Sequence, residues 1–119
     1  MATIKSYTDL EQSKKLAKIL PLESADMHYV LIDTEEDKYG EGLGKCISIL
    51  PHYPCWSLAA LFDALPAECE CMALERINYG NNRKEYFMHY VGGENTEDYD
   101  NPIDACYAMI IRLHELNLL

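Results

Sequence analysis

The sequence predicts an α+β fold, in which a small antiparallel sheet of about four strands is packed on one face by about three helices. Apolar residues recur at helical spacing in three segments, and short runs rich in aromatic and β-branched residues lie between them. The helical segments are 8–20, 57–65 and 101–117, and the strand-like runs are 27–32, 45–50, 71–77 and 85–91. Helices that alternate with pairs of strands in this way favour an antiparallel sheet covered by helices.

The first helix is expected to begin at Thr8, because Thr8 and Glu11 have the spacing of a capping box, and Pro21 is expected to end it. The run 27–32 then predicts a strand. The segment 34–44 is acidic and contains three glycines, so it predicts a loop. A second strand is predicted at 45–50.

The middle of the chain predicts a short helix between two breaks. Pro51 and Pro54 are expected to interrupt regular structure before it, Ser57 caps it and Pro66 ends it. Trp56 precedes the cap, at the spacing of a hydrophobic staple with Leu61. We therefore expect the single tryptophan to be a buried structural residue.

The second half of the chain predicts a hairpin followed by a long helix. The runs 71–77 and 85–91 flank the turn-forming residues 79–82. In the final helix Asn101 is the expected cap, Pro102 suits the first helical position, and Asp104 lies where a carboxylate meets the positive end of the helix dipole. An apolar stripe runs along this helix from Ile103 to Asn117.

Length and composition predict one globular domain over residues 1–119. A hydrophobic fraction of 49% and a charged fraction of 25% are ordinary globular values. No apolar run is long enough to span a bilayer, and the first residues lack the apolar core of a secretory signal. We expect a soluble cytoplasmic protein that does not bind a membrane.

The formal net charge of −10 is concentrated in two segments. Residues 33–41 contribute −4 and residues 94–104 contribute −5. Direct binding to nucleic acid requires clustered lysine and arginine, so this charge argues against it. A solvated surface is the simplest interpretation of the acidic residues.

Cysteine and histidine residues form no recognisable catalytic or metal-binding motif. The Cys69-Glu70-Cys71 fragment lacks the second ligand pair that structural zinc requires, and His52 with Cys55 is a catalytic pair only if the fold brings the two side chains together. Reduced thiols fit the odd number of five cysteines, which are Cys46, Cys55, Cys69, Cys71 and Cys106. We assign no catalytic, cofactor-binding or metal-binding residues.

Four segments of the chain resemble a group of small uncharacterised proteins from prophage-like and mobile-element regions of Bacteroides-type gut bacteria. The segments are 7–16 (YTDLEQSKKL), 53–61 (YPCWSLAAL), 101–106 (NPIDAC) and 113–119 (LHELNLL). The resemblance covers roughly half of the chain by eye and excludes residues 33–48. It implies a genomic setting and no particular activity.

The function that these observations favour is that of a small acidic accessory protein of a phage or mobile element, acting through protein–protein contact. The partner is another protein or a second copy of the chain. The expected interaction surface combines aromatic strand residues with the second acidic segment: Tyr86, Met88, Tyr90, Glu94, Glu97, Asp98 and Asp100. Two alternatives stay open: an acidic mimic of nucleic acid that inhibits a host DNA-binding protein, and a small Cys/His-dependent enzyme.

Overall fold

The structure of the chain is a computed structural model that describes residues 5–33, 38–43, 53–66, 69, 71–91, 93 and 95–119. The chain divides into two compact units. We call Tyr7–Ala64 the N-terminal unit, and Met1–Ser6 with Leu65–Leu119 the hairpin unit. Among the described residues there are three α-helices and two small antiparallel sheets, which confirms the α+β class. The strands are divided between these two sheets, so the expected single sheet of about four strands is wrong.

The N-terminal unit contains an antiparallel sheet and two short helices. Its helices are α1 (Leu10–Leu16) and α2 (Leu58–Asp63), with one turn of 3₁₀ helix at Leu22–Ser24. Its strands are β1 (Met27–Asp33), β2 (Lys38–Leu43) and β3 (Tyr53–Cys55). The strand order is β2-β1-β3, and α1 packs against β3.

The cap of α1 is Asp9, one residue later than expected. The Asp9 carboxylate accepts from the Gln12 N–H at 2.8 Å, and the Gln12 side chain accepts from the Asp9 N–H at 3.1 Å. This is a reciprocal capping box. Thr8 is buried instead, and its Oγ1 accepts from the Trp56 N–H at 3.1 Å. The need to satisfy that buried N–H explains why Thr8 is not the cap.

Two expectations about the N-terminal unit are wrong. Residues 38–43 form β2 along one side of β1, although 34–44 predicted a loop. Pro54 lies within β3, where it was expected to break the chain. A proline is tolerated there because β3 is an edge strand, so its missing N–H removes no bond from a neighbouring strand. The strand expected at 45–50 and the break at Pro51 lie outside the described residues.

The core of the N-terminal unit lies around the start of α2. Ser57 caps this helix through a bond from the Ala60 N–H, as expected. Trp56 and Leu61 are both fully buried, which confirms the burial of the tryptophan. The Trp56 Nε1–H donates to Ser24 Oγ at 3.0 Å, so its one polar atom is also satisfied.

The hairpin unit contains β4 (Ala73–Gly80), β5 (Arg83–His89) and α3 (Pro102–Glu115). The two strands pair antiparallel, which confirms the predicted hairpin. Asn81 and Asn82 connect them with φ values of 50° and 62°, a left-handed pair that asparagine tolerates well. The helix packs mainly against β5 and buries one apolar stripe: Ile103, Cys106, Met109, Ile110 and Leu113.

Both ends of α3 are fixed by local bonds. Asn101 Oδ1 accepts from the Asp104 N–H at 2.9 Å and Pro102 occupies the first turn, as predicted. At the other end Asn117 has a φ of 60°, and the Leu118 N–H donates to the Leu113 carbonyl at 2.9 Å. This is the pattern of a Schellman motif. Asn117 therefore ends the helix and does not belong to its apolar stripe.

Candidate functional site

An extended segment, residues 95–99, lies along one edge of β5. Tyr86 and Tyr99 exchange both backbone hydrogen bonds, at 2.6 and 2.8 Å. The Thr96 N–H donates to the Met88 carbonyl at 2.9 Å, and the Met88 N–H donates to Thr96 Oγ1 at 2.8 Å. The backbone of β5 is therefore paired on both sides, with β4 on one and this segment on the other.

The opposite edge of the hairpin belongs to β4. Because the N–H and C=O of Tyr86 both point to Tyr99, the facing pair of Arg76 and Tyr86 is a non-hydrogen-bonded pair of the ladder. The backbone groups of Arg76 consequently point away from β5. By alternation the same holds for Leu74 and Asn78. In the part of the chain that the structure describes, no strand pairs with these groups. We call this row, Leu74, Arg76 and Asn78, the β4 edge.

The side chains along β4 are largely accessible. Glu75, Arg76, Asn78 and Tyr79 are exposed, and Ile77 is half-buried. The Arg83 guanidinium lies 4.7 Å from the centre of the Tyr79 ring and 2.9 Å from Glu85 Oε1. An exposed edge strand of eight residues can add a further strand from another chain, unless charges or prolines prevent it.

The expected interaction surface is divided by the fold. Met88 is fully buried and lies against Cys106 of α3, with 4.0 Å between the two sulfur atoms. Met88 therefore belongs to the core, and the expectation that it lies on an exposed interaction surface is wrong. Tyr86 and Tyr90 are half-buried. The face of β5 that carries Met88 is the one that packs on the helix, because α3 supplies the apolar partners for that face.

The opposite face of the hairpin carries Glu75, Ile77, Phe87 and His89. The Phe87 and His89 rings stack with their centroids 5.5 Å apart. His89 Nε2 is 3.5 Å from Glu75 Oε1, but it has no hydrogen-bond partner among the described residues. Sequence alternation separated the two faces correctly, and only the position of α3 decides which of them is covered.

The acidic members of the expected surface lie on or beside the segment 95–99. Glu97, Asp98 and Asp100 are exposed, and Glu94 lies outside the described residues. Partial burial raises the pKa of the Tyr99 hydroxyl, and the negative charges of Glu97 and Asp104 raise it further. Asp104 differs from the other acids because it forms an ion pair with Lys5 at 2.8 Å.

A cleft of about 310 Å³ lies in the hairpin unit beside this segment. Six residues line it: Asn95, Thr96, Glu97, Tyr99, Ala108 and Arg112. The Arg112 guanidinium is 3.5 Å from Glu115, and both side chains are largely exposed. The cleft therefore combines one acid, Glu97, with one base, Arg112. None of its six lining residues is buried, so it offers no buried polar side chain for a ligand.

Cys55 is a poor candidate nucleophile. Its thiol is fully buried and donates to the Thr8 carbonyl at 3.4 Å. Burial raises the pKa of Cys55, although hydrogen bonds from Thr8, Ser13 and Tyr29 oppose the shift. A neutral, inaccessible thiol does not react as a nucleophile. The expected catalytic partner, His52, lies outside the described residues.

The remaining thiols do not assemble into a metal centre among the described residues. Cys69 is half-buried and Cys71 is exposed, while Cys46 and Glu70 lie outside the described part of the chain. No group of three or more Cys, His, Asp or Glu side chains with metal-binding geometry occurs within that part. Within the same residues, no helix has the length and apolar character to cross a bilayer.

In comparisons with protein-family models, with curated proteins and with solved structures, the chain gives no match. The sequence interpretation missed the β4 edge. The signal that could have found it is the presence of exposed charged and polar residues on both faces of β4, Glu75 on one and Arg76 and Asn78 on the other, which is typical of edge strands.

Proposed function

We propose that the protein acts through protein–protein contact and that the β4 edge is its binding element. The observation that carries the proposal is the row of outward-facing backbone groups at Leu74, Arg76 and Asn78. Strand addition satisfies such groups with main-chain hydrogen bonds and reads the exposed side chains that alternate along the strand. In the genomic setting that the resemblance implies, this is the role of a cytoplasmic accessory protein of a phage or mobile element.

The charge distribution around the edge supports strand addition more than a purely electrostatic contact. Glu75 and Arg76 are adjacent on β4, so the strand itself has no excess of either sign. The acidic residues Glu97, Asp98 and Asp100 lie with the segment on the far side of β5. Their charges are all of one sign, so they discourage strand addition at that edge more than the balanced pair of Glu75 and Arg76 does at β4.

The test is affinity capture of the tagged full chain from native host cells, with three versions of position 76. The Arg76 N–H points away from β5, so Arg76→Pro removes it without breaking a bond within the hairpin. Prolines are tolerated at such edge positions. Arg76→Ala changes the side chain and keeps the N–H. We expect wild type and Arg76→Ala to retain a partner protein that Arg76→Pro loses. An untagged copy of the chain itself counts as such a partner. Equal retention by all three versions would refute the use of this edge.

An acidic mimic of nucleic acid is the second candidate. Asp98 and Asp100 are two residues apart beside a segment held extended along β5, which separates their backbone positions by about 7 Å. Carboxylates at a fixed separation could contact a basic groove. This candidate requires binding that weakens steeply as salt rises and that is lost on Asp98→Asn with Asp100→Asn. A Cys/His-dependent enzyme is disfavoured by the burial and raised pKa of Cys55.

A further inference from the structure

We propose that the strand which pairs with the β4 edge is β4 of a second copy of this chain, in an antiparallel register centred on Ile77. This inference rests on the proposed function and names its partner. Two antiparallel β4 strands related by a two-fold axis would join two hairpins into one continuous sheet.

Backbone geometry restricts the registers that such a pair can adopt. The residues whose N–H and C=O groups point outward are Leu74, Arg76 and Asn78, so each must face an outward-pointing residue of the other copy. The two-fold axis must then pass through a residue of β4. A centre on Arg76 pairs residues 73–79 of the two strands and a centre on Ile77 pairs residues 74–80, whereas centres on Glu75 or Asn78 pair a shorter stretch, 73–77 or 76–80. Arg76 and Ile77 are therefore the centres with the greatest overlap.

Charge decides between these two registers. A centre on Arg76 places two guanidinium groups opposite each other, and the shorter pairing centred on Glu75 would do the same with two carboxylates. Like charges directly opposite each other destabilise a strand pair. A centre on Ile77 places two isoleucines in a non-hydrogen-bonded pair, where opposing side chains are closest. It also pairs Arg76 with Asn78 of the second copy.

The same register produces complementary charges at both ends of the pair. Glu75 of one copy lies opposite Tyr79 of the other, and the Arg83 guanidinium is held over that Tyr79 ring at 4.7 Å. The carboxylate of one copy thus faces a cation of the other, and the symmetry repeats this contact. On the face opposite α3, the two Ile77 side chains would lie side by side, each with Glu85 of its own hairpin directly opposite it on β5 and Phe87 diagonally next to it.

The first test is sedimentation velocity of the purified full chain over a wide concentration range. We expect a reversible dimer in wild type and in Arg76→Ala. Arg76→Pro should weaken dimerisation roughly tenfold to a hundredfold, because it removes two intermolecular hydrogen bonds per dimer. Circular dichroism of each variant checks that the hairpin still folds. A wild-type chain that stays monomeric, or a dimer that Arg76→Pro does not weaken, would overturn the proposal.

The second test measures the register and does not depend on the folding of the proline variant. In a background with Cys69→Ser and Cys71→Ser, we expect Ile77→Cys to crosslink two copies on mild oxidation. The matched variant Glu75→Cys should not crosslink, because its position faces Tyr79 of the other copy. Mass spectrometry locates the crosslink. Faster crosslinking through position 75 than through position 77 would contradict the register.

The two proposals can fail separately. In one outcome the purified chain is monomeric, while wild type captures a different protein from host cells and Arg76→Pro does not. In that case self-association is wrong and protein binding through the β4 edge stands. If the chain forms the Ile77-centred dimer, and untagged copies of the chain are the only captured protein that Arg76→Pro loses, both proposals stand. If neither experiment depends on position 76, both are wrong.

Discussion

The Trp56 side chain is fully buried and has one polar atom, so its hydrogen bond can be tested by itself. Its Nε1–H donates to Ser24 Oγ at 3.0 Å. Ser24→Ala would leave this buried donor without a partner, and we expect it to lower the free energy of unfolding by about 1–3 kcal/mol. In a Trp56→Phe background the same change should have a smaller effect, limited to the loss of the bond that Ser24 Oγ donates to the Pro21 carbonyl at 2.6 Å. Urea unfolding of the four proteins measures this coupling, and equal effects in both backgrounds would contradict it.

Truncation of the same tryptophan should be far more damaging. We expect Trp56→Ala to cost about 3–5 kcal/mol, because it removes a fully buried ring and leaves a cavity. The effect concerns stability and not binding, since the ring belongs to the core of the N-terminal unit. Because Trp56 is the only tryptophan of the chain, the tryptophan fluorescence of the protein comes from this side chain alone. Fluorescence emission typical of water-exposed indole in the folded protein would refute its burial.

Cys106 makes the stability of the protein depend on pH in the alkaline range. Burial raises the pKa of its thiol from 9.0 to about 12. The raised folded-state pKa means that the neutral thiol is favoured by folding, so this stability is complete below about pH 9. It is lost as pH rises from 9 towards 12, at up to about 1.4 kcal/mol per pH unit. The difference in unfolding free energy between wild type and Cys106→Ala should therefore shrink across this range. A constant difference would show that Cys106 does not titrate as described.

The hairpin turn is the element whose stability depends most directly on residue choice. Asn81 and Asn82 both have left-handed backbone conformations. We expect Asn82→Ala to destabilise the protein by about 1 kcal/mol, because alanine pays a steric penalty there, while Asn82→Gly should be neutral or stabilising. Thermal unfolding measures both. Asn78→Ala is the matched control, since Asn78 is exposed on β4 outside the left-handed region, and its effect should stay within about 0.5 kcal/mol.

The caps of α2 and α3 and the β4–β5 hairpin could be predicted from the sequence, whereas β2 and β3 could not. The caps of α2 and α3 depend on contacts between residues three positions apart, so Ser57 and Asn101 were recognisable. In contrast, β2 and β3 exist because both pair with β1. Their glycines and proline favour a loop locally, and the ladder overrides that preference. The pairing of β2 and β3 with β1 also separates β1 from the hairpin, so that the described strands form two sheets.

The candidate site was predictable only in part for the same reason. The alternation of Tyr86, Met88 and Tyr90 against Phe87 and His89 follows from strand geometry alone. Which face is covered depends on α3, and Met88 is buried because Cys106 lies against it. The β4 edge depends on a still more distant event, the docking of residues 95–99 on β5. The polar residues on both faces of β4 favour an edge strand, but the covering of β5 on its other side follows only from that docking.

At the scale of the whole molecule, the net charge of −10 raises the question of whether its acids are functional or only solvated. Glu97, Asp98 and Asp100 are exposed, and the structure gives none of them an ion-pair partner among the described residues. Their replacement by Gln, Asn and Asn reduces the negative charge by three. We expect the unfolding free energy to change by no more than about 0.5 kcal/mol per site, because the three side chains are exposed. Asp100 accepts from Asn101 Nδ2 at 2.9 Å, and Asp100→Asn keeps an oxygen that can accept this bond.

Asp104 is the matched acid with a structural role, and it separates the two interpretations of the charge. Its carboxylate is 2.8 Å from Lys5 Nζ and accepts from Asn101 Nδ2 at 2.7 Å, at the start of α3. Asp104→Ala should therefore cost about 1–2 kcal/mol, whereas the triple neutralisation should not. If the β4 edge is the binding element, the triple variant also keeps its partner, and its binding has the same weak salt dependence as wild type. Loss of binding in the triple variant with unchanged stability, together with steep weakening of wild-type binding by salt, would instead establish the acids as the contact and support the mimic of nucleic acid.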